Sequence, residues 1–405
     1  KVIMRSIKEV FAIGYGPSSS HTMGPSNAID YIKNKYCNIK YVKVFLYGSL
    51  ALTGIGHLTD KVIDLKLKDI PHEIIFDKET PVKKHPNTLA IEVTTNDDKT
   101  YREEMISVGG GTFYTDDYNN EQKETYPHKN LKEIIKYCDE NNTLSLADYV
   151  RRFEDNDVED YIINVMKVMD EAIQRGVKTE GELPGTLHFR RKAPELYKRL
   201  EAEKAKNANI KSLYDLIMIV SAFATSEENA SGGKVVTAPT CGSSGVIPAC
   251  LSYLKARNTP ENKIMDGMLV AGLIGIISKT NGSISGAECG CQAEIGVSCA
   301  MAAAMIAIAK DMGNYKAIES AEIALEHSLG LTCDPVKGYV QIPCIERNAM
   351  FALKAKSAVS LVKLIPFSSQ VISFDDILTT MVKTGRDLQG GYRETGEKGL
   401  AELIK

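Results

Sequence analysis

Cysteine is the residue type whose distribution in this chain most clearly suggests chemistry. Seven of the nine cysteines fall within the segment 241–344, and three of these occupy positions where a thiol can reach a ligand. Cys291 lies in a loop that enters a predicted helix, and Cys333 lies between a helix-ending glycine and an Asp-Pro pair. Cys344 begins a predicted helix, where free N–H groups and the helix dipole stabilise a thiolate. Three thiolates at such positions can converge on one metal centre.

The spacing of these thiols does not by itself identify a metal site. Intervals of 41 and 10 residues separate Cys291, Cys333 and Cys344, which matches neither zinc-finger nor ferredoxin spacing. Single cysteines are also frequent among the buried residues of helical cores. On spacing alone, buried hydrophobic thiols are therefore favoured over a metal centre.

A loop rich in hydroxyl groups near the N-terminus is the second candidate. Its sequence is GPSSSHTMGP, which supplies Ser18, Ser19, Ser20, His21 and Thr22 between two Gly-Pro pairs. Such side chains can surround a carboxylate, and a histidine among them can transfer protons near neutral pH. The alternative is a serine-rich turn that caps the next helix. The number of donors makes this alternative weaker than usual.

Two glycine-containing segments could present a second histidine and a lysine. The first reads YGSLALTGIGH and places His57 in a loop, although a Gly-His turn is often only a turn. The second reads SGGKVVTAPTCGSSG and contains Lys234, but it lacks the spacing of a phosphate-binding loop. It either places Lys234 against an anionic substrate or simply connects two helices.

The elements that must position these side chains fall into two groups. Alternating strand patterns at 41–47, 73–76 and 90–95 predict an α+β region, and a polar stretch over 114–142 predicts a linker with a short helix at 131–138. Beyond residue 145 the periodicity is helical, with helices predicted at 158–175, 213–226, 263–277, 294–310, 317–329, 345–364 and 374–384.

The pattern as a whole predicts two domains. We expect an α+β N-terminal domain over residues 1–125, a linker over 126–144 and an all-helical (all-α) domain over 145–405. The stretch 299–305 is so rich in Ala and Met that it predicts a buried central helix.

Composition limits the class of protein. Of the 405 residues, 43% are hydrophobic and 25% are charged, as in globular proteins. A net charge of −3 with both signs interspersed predicts no nucleic-acid partner. The longest apolar run, 267–278, is shorter than the about 20 residues of a bilayer span, and no secretory signal is recognisable. We therefore expect a cytoplasmic protein with reduced thiols and no membrane partner, and Ala/Met-rich helix faces favour a homodimer.

Taken together, the motifs resemble those of the bacterial iron–sulfur L-serine dehydratases, or L-serine ammonia-lyases. The similar segments run in order from near residue 11 to near residue 400. They read GPSSSHTMGP, LYGSLALTGIGHLTD, LPGTLHFRRKAPEL, VVTAPTCGSSGVIPA, NGSISGAECGCQAEIGVSCAMAAA, EHSLGLTCDPVKGYVQIPCIERNA and TGRDLQGGYRET. This agreement outweighs the preference for buried thiols.

The resemblance implies an N-terminal domain similar to the allosteric substrate-binding domain of some phosphoglycerate dehydrogenases, followed by a helical catalytic domain. It implies that Cys291, Cys333 and Cys344 hold a 4Fe–4S cluster with one iron open to substrate. The expected reaction is β-elimination from L-serine to give pyruvate and ammonia. Two further thiols, Cys241 and Cys289, make the ligand count uncertain.

The resemblance also suggests roles for the other candidate residues. His57 is the candidate base for the α-proton. His21 and the loop hydroxyls (Ser18, Ser19, Ser20 and Thr22) are expected to hold substrate or transfer a proton. Lys234 and Arg347 are candidates for contact with the substrate carboxylate. Since the histidines and cysteines lie in different predicted domains, we expect the site at the domain interface.

Two other functions stay open at this point. A pyridoxal-phosphate serine dehydratase would perform the same net reaction through a Schiff-base lysine, for which Lys279 is the nearest candidate. A non-catalytic amino-acid sensor would use the N-terminal domain alone and leave the cysteines structural.

Overall fold

The chain divides into a mixed-sheet part and a largely helical part, as predicted. The computed structural model describes residues 3–81, 85–115, 124–206, 209–365 and 371–404. Residues 116–123, near the start of the polar stretch 114–142, lie outside the described residues. The domain boundaries near residues 125 and 145 stay predictions.

Five strands form one sheet in the N-terminal part, in the order β3-β2-β4-β5-β6. The elements of this part are β1 (Ile13–Tyr15), α1 (Gly24–Lys35), β2 (Ile39–Tyr47), α2 (Gly48–Thr53), α3 (Thr59–Lys66), β3 (His72–Asp77), β4 (Thr88–Thr95), β5 (Thr100–Gly109) and β6 (Thr112–Tyr114). Strand β2 pairs in parallel with β3 and antiparallel with β4. The three strands predicted from alternation therefore form the centre and one edge of this sheet.

One face of the sheet is covered by helices and forms a separate hydrophobic core. Val42, Val44 and Leu46 of β2 alternate with less buried residues and pack with Ile29 and Ile32 of α1. This burial of every second strand residue is what a half-covered sheet requires. The packing holds the segments on either side of α1 and α2 in place, and these segments carry the two candidate histidines.

The helical part contains twelve α-helices and one short strand within the described residues. They are α4 (Leu131–Glu140), α5 (Leu146–Phe153), α6 (Val158–Gly176), α7 (Ala193–Ala205), α8 (Ile210–Ala230), β7 (Lys234–Val236), α9 (Val246–Ala256), α10 (Glu261–Asn281), α11 (Gly286–Cys289), α12 (Val297–Ala309), α13 (Gly313–Glu326), α14 (Cys344–Leu364) and α15 (Phe374–Asp387). Every helix predicted from periodicity is present, and α5, α7, α9 and α11 are additional.

Helix α12 is the central helix of this part. Nearly all of its residues are buried, and it packs against α9, α10, α13 and α14. Its small side chains permit close approach, since a Cβ at Gly267 of α10 would lie 2.7 Å from the carbonyl oxygen of Met305. The buried central helix is thus confirmed. Its Ala/Met-rich surface is covered within one chain, so it does not offer the exposed face on which the homodimer prediction relied, and the homodimer stays a prediction.

The first residues of the chain pack with the helical part rather than with the sheet. Met4, Ile7 and Phe11 are buried in the large helical core. Strand β1 then pairs antiparallel with β7, so the predicted all-helical region includes one strand. That strand was missed because it is three residues long and its partner is distant in sequence. The β1–β7 pair leads directly into the Ser/His loop.

Two helical segments are long and apolar enough, by length and composition, to cross a membrane. They are Glu261–Asn281 and Gln292–Ala309, and 78% and 89% of their most apolar stretches are buried inside the protein. Both belong to the core described above.

Candidate active site

One cavity lies between the two parts of the chain and collects most of the predicted site residues. It is lined by Pro17, Ser18 and His57 from the N-terminal part and by Gly242, Cys291, Glu294, Ile295, Cys333, Asp334, Pro335, Val340, Pro343, Cys344, Arg347 and Glu394 from the helical part. The structure therefore brings one predicted histidine, one predicted serine, Arg347 and all three predicted cysteines together.

The three cysteines reach the cavity from three separate segments. Cys291 directly precedes a π-helical turn, Gln292–Gly296, and Cys344 is the first residue of α14. Cys333 lies in a loop whose backbone pairs with the C-terminal segment at Arg393. The sulfur atoms of Cys291 and Cys333 and a carboxylate oxygen of Glu294 all lie within 4.8 Å of one another. Such a set of soft thiols with a nearby carboxylate can hold a metal centre.

The local electrostatics favour a thiolate at Cys291. The Cys333 thiol donates a hydrogen bond to it and the Arg347 guanidinium lies beside it, so the pKa of Cys291 is lowered to about 6 despite burial. The same hydrogen bond raises the pKa of Cys333 well above its usual value. Burial raises the pKa of Cys344. One negative charge is therefore already stabilised among the three sulfur atoms.

The two thiols of uncertain role do not line the cavity. Cys241 donates to the sulfur of Met23 at 3.4 Å within a small apolar cluster, and burial raises its pKa. Cys289 packs against Gly385, where an added Cβ would lie 2.7 Å from the Cys289 Cα. Both sulfur atoms are used in packing, which leaves three thiols on the cavity wall among the described residues.

The Ser/His loop forms a π-helical turn, Ser19–Met23, that is fixed by its own hydroxyl groups. Ser18 Oγ accepts a hydrogen bond from the backbone N–H of His21, and Thr22 Oγ1 donates to the backbone oxygen of His57 at 2.7 Å. Of the predicted substrate-binding hydroxyls, Ser18 lines the cavity, whereas Ser19, Ser20 and Thr22 lie behind it. Most of the hydroxyl groups that made this loop a candidate therefore stabilise the conformation of the loop and do not face the cavity.

The ring of His57 is held so that one nitrogen faces the cavity. Its Nδ1 lies 2.9 Å from the carbonyl oxygen of Thr53, which can only accept, so Nδ1 carries a proton. In the neutral ring Nε2 then has a free lone pair. It lies 3.4 Å from a carboxylate oxygen of Glu394. This is the arrangement of a ring that can receive a proton from the cavity side.

His21 lies behind His57 and its tautomer is set in the same way. Ser49 Oγ donates its proton to the Glu394 carbonyl oxygen at 2.7 Å, so His21 Nε2 must donate to Ser49 Oγ at 3.0 Å. His21 Nδ1 then accepts from Ser20 Oγ at 2.8 Å. Burial lowers the pKa of His21 to about 4, which keeps the ring neutral at physiological pH.

Two glutamates, the buried Glu394 and the partly exposed Glu294, belong to the site but were not singled out by the sequence patterns. Glu394 approaches His57 and His21 on a segment whose backbone N–H donates to the Cys333 carbonyl oxygen at 2.7 Å. Burial opposes ionisation of Glu394, whereas a proton on the neighbouring His21 or His57 ring favours it, and the net effect lowers the pKa of Glu394. Glu294 accepts from Thr240 Oγ1 at 2.8 Å, and burial together with Glu394 raises its pKa.

The two predicted carboxylate-binding cations have different positions. Arg347 lines the cavity, donates to the Thr332 carbonyl oxygen at 3.0 Å, and has its pKa raised by the neighbouring Cys291 in spite of burial. Lys234 lies in β7 with an exposed side chain, paired in register with Tyr15, and does not line the cavity. The structure therefore brings only Arg347 to the site.

Comparison with known proteins agrees with this architecture. The family described as "Serine dehydratase beta chain" matches residues 6–71, and the family described as "Serine dehydratase alpha chain" matches residues 88–401. The L-serine dehydratase of Haemophilus influenzae is 39% identical over 456 residues, with 99% of both chains covered. L-serine dehydratase 2 of Escherichia coli is 38% identical over 454 residues, and the L-serine dehydratase of Helicobacter pylori (strain 26695) is 37% identical over 454 residues, each with 99% of both chains covered. The chain therefore belongs to the bacterial L-serine dehydratase family and carries the alpha and beta parts in a single polypeptide.

Proposed function

We propose that this protein converts L-serine to pyruvate and ammonia by β-elimination, with a 4Fe–4S cluster as cofactor. The observation that carries the proposal is the shared cavity, in which His57 Nε2 faces the region of Cys291, Cys333 and Cys344. The names of the relatives support serine as substrate, and β-elimination needs a base for the α-proton and an electrophile for the β-hydroxyl group.

The residues on the cavity wall fit the proposed cluster. Thiolates are the usual ligands of iron–sulfur clusters, and the three cavity thiols leave one iron of a four-iron cluster without a protein ligand. That iron, when bound, supplies a Lewis acid for the β-hydroxyl leaving group. Cys241 and Cys289 are not proposed as ligands, because their sulfur atoms are packed elsewhere.

His57 is proposed as the base that takes the α-proton of L-serine on Nε2. The Thr53 carbonyl oxygen holds Nδ1–H and so keeps the lone pair directed at the cavity. His21, neutral and stacked behind, positions His57 and can pass a proton through Ser20. Ser18 and Arg347 are proposed to contact the substrate, whereas Lys234, outside the cavity, has no part in this mechanism.

The steps that follow elimination need no catalytic group of the protein. The aminoacrylate product tautomerises and hydrolyses without further catalysis. A cluster with an open iron requires reducing conditions, so we propose a cytoplasmic location. No nucleic-acid or membrane partner is proposed, and the homodimer is kept as a proposal.

Activity under controlled oxygen tests this function against its competitors. We expect activity that is lost in air and restored by Fe(II) and thiol. Borohydride trapping of a lysine would instead support pyridoxal-phosphate chemistry, although the Lys279 amino group is occupied by Glu9 and Thr112. Absence of pyruvate from a fully loaded protein incubated anaerobically with L-serine would support the sensor.

A further inference from the structure

The carboxylate of Glu394 is incompletely paired in the cavity. Its side chain is only 6% exposed, and its Oε2 atom is buried without a hydrogen-bond partner. A buried acceptor without a donor destabilises a protein unless a ligand supplies the donor. Because Glu394 also lines the cavity, that donor can come from the substrate.

Glu394 is not needed to orient the His57 ring, because another acceptor holds its Nδ1–H. The Thr53 carbonyl oxygen and Ser49 Oγ already fix the far nitrogens of His57 and His21. Glu394 lies instead on the reactive side, 3.4 Å from His57 Nε2 and 3.7 Å from His21 Nδ1. A direct hydrogen bond to His57 would need a proton on Nε2 and would remove the lone pair that the base requires.

The two other carboxylates on the cavity wall are differently placed. Asp334 already accepts from Thr332 Oγ1 at 3.0 Å and from the Leu400 backbone N–H at 2.8 Å. Glu294 Oε1 accepts from Thr240, and its Oε2 lies 3.9 Å from the Cys333 sulfur. Glu294 is therefore associated with the thiols, whereas Glu394 is associated with the proposed base. A cationic group of a substrate bound next to His57 would therefore lie closer to Glu394 than to the other cavity carboxylates.

We propose that Glu394 binds the α-ammonium group of the substrate. This inference rests on the proposed function, because it assumes that a 2-amino acid is the substrate. The α-ammonium and the α-proton are attached to the same carbon atom, so their two acceptors must be neighbours, as Glu394 and His57 are. A buried carboxylate in this position selects 2-amino acids over 2-hydroxy acids, which carry no positive charge to offset its desolvation.

Binding of two matched, unreactive ligands tests the assignment. L-Alanine and L-lactate share a carbon skeleton, differ in ammonium against hydroxyl, and lack the β-hydroxyl needed for elimination. Anaerobic titration calorimetry on the holoenzyme should show that wild type prefers L-alanine. In Glu394→Gln the dissociation constant for L-alanine should rise about tenfold to hundredfold while that for L-lactate changes little, because only the charge-assisted hydrogen bond is lost.

Two further variants complete the test. Glu319→Gln alters a carboxylate of equal exposure, 6%, in α13 away from the cavity, and should leave both dissociation constants unchanged. Glu394→Asp keeps the charge and should retain a preference for L-alanine. Equal weakening of both ligands in Glu394→Gln, or no preference in the wild type, would overturn the assignment. Pyruvate formation from L-serine by the same wild-type preparation is measured separately, so a failure of the proposed function is distinguished from a failure of the ammonium site.

Discussion

The imidazole ring of His57 stacks on that of His21, with centroids 4.4 Å apart and an angle of 25° between the planes. Each ring donates one N–H proton to a fixed acceptor. His57 Nδ1 donates to the Thr53 carbonyl oxygen, and His21 Nε2 donates to Ser49 Oγ. The other nitrogen of each ring, His57 Nε2 and His21 Nδ1, lies within 3.4 Å and 3.7 Å of the same Glu394 carboxylate oxygen. The pair comes from the N-terminal part of the chain and the carboxylate from its C-terminal segment, so this cluster of three side chains needs both parts.

Removal of the His57 ring is expected to abolish turnover without removing the cofactor. In His57→Ala no group replaces the Nε2 lone pair, and kcat should fall by about 10²–10⁴-fold, the usual contribution of a general base. Iron content and visible absorbance should match those of wild type, since His57 is not among the cysteine ligands. Substantial retained activity would move the role of base to His21.

Substitutions of the cysteines are expected to fall into two groups according to the iron content of the purified variant. Cys291→Ser, Cys333→Ser and Cys344→Ser should each lose most of the bound iron and sulfide, because each removes one of the thiols on the cavity wall. Cys241→Ala is the matched control, a buried cysteine that packs on Met23, and it should retain the cluster. Loss of iron in this control would show that the ligand set is larger than three.

The buried neutral state of His21 predicts a specific pH dependence of stability. Its pKa is about 4 in the folded protein against an ordinary value of 6.5, so between these pH values the unfolded chain binds more protons. Stability is therefore full above pH 6.5 and falls as the pH decreases toward 4. Between pH 8 and pH 5 the free energy of unfolding of wild type should fall by about 2 kcal/mol more than that of His21→Gln. Parallel pH profiles from urea unfolding would contradict a buried neutral His21.

Activity is expected to depend on the close contact between the turn before His57 and the loop after Cys333. A Cβ at Gly56 would lie 2.7 Å from the Gly338 backbone, which cannot move without displacing the loop that carries Val340. Gly56→Ala should therefore reduce kcat/KM by about tenfold or more through misplacement of His57, with iron content unchanged. As a control, Gly390→Ala meets nothing nearer than 3.9 Å and should remain close to wild type. Unchanged kinetics in Gly56→Ala would show that this contact does not position the base.

The sequence predicts those features that depend on local patterns. Alternation in β2 and helical periodicity in α14 and α15 are confirmed to within three residues at each end, because one face of each element is buried. Cys344 as the first residue of α14 follows from the preceding proline. These patterns predict element types well because burial imposes them locally.

Features that depend on long-range pairing are not predictable in the same way. Glu394 lies within the recognised segment TGRDLQGGYRET, yet nothing in its immediate sequence marks it as a site residue. Its position follows from the pairing of its backbone with Cys333, a contact between distant segments. The same reason explains why Lys234, in a glycine-rich segment that suggested anion binding, lies instead in a strand paired with β1.

The most direct test of the account is a combined measurement on anaerobically purified protein. Iron, acid-labile sulfide and the rate of pyruvate and ammonia formation from L-serine are determined on one preparation. We predict about four iron atoms and four sulfides per chain, as a four-iron cluster requires, with turnover that increases in proportion to iron content. Pyruvate formation by iron-free protein, or full iron loading without any turnover, would contradict it.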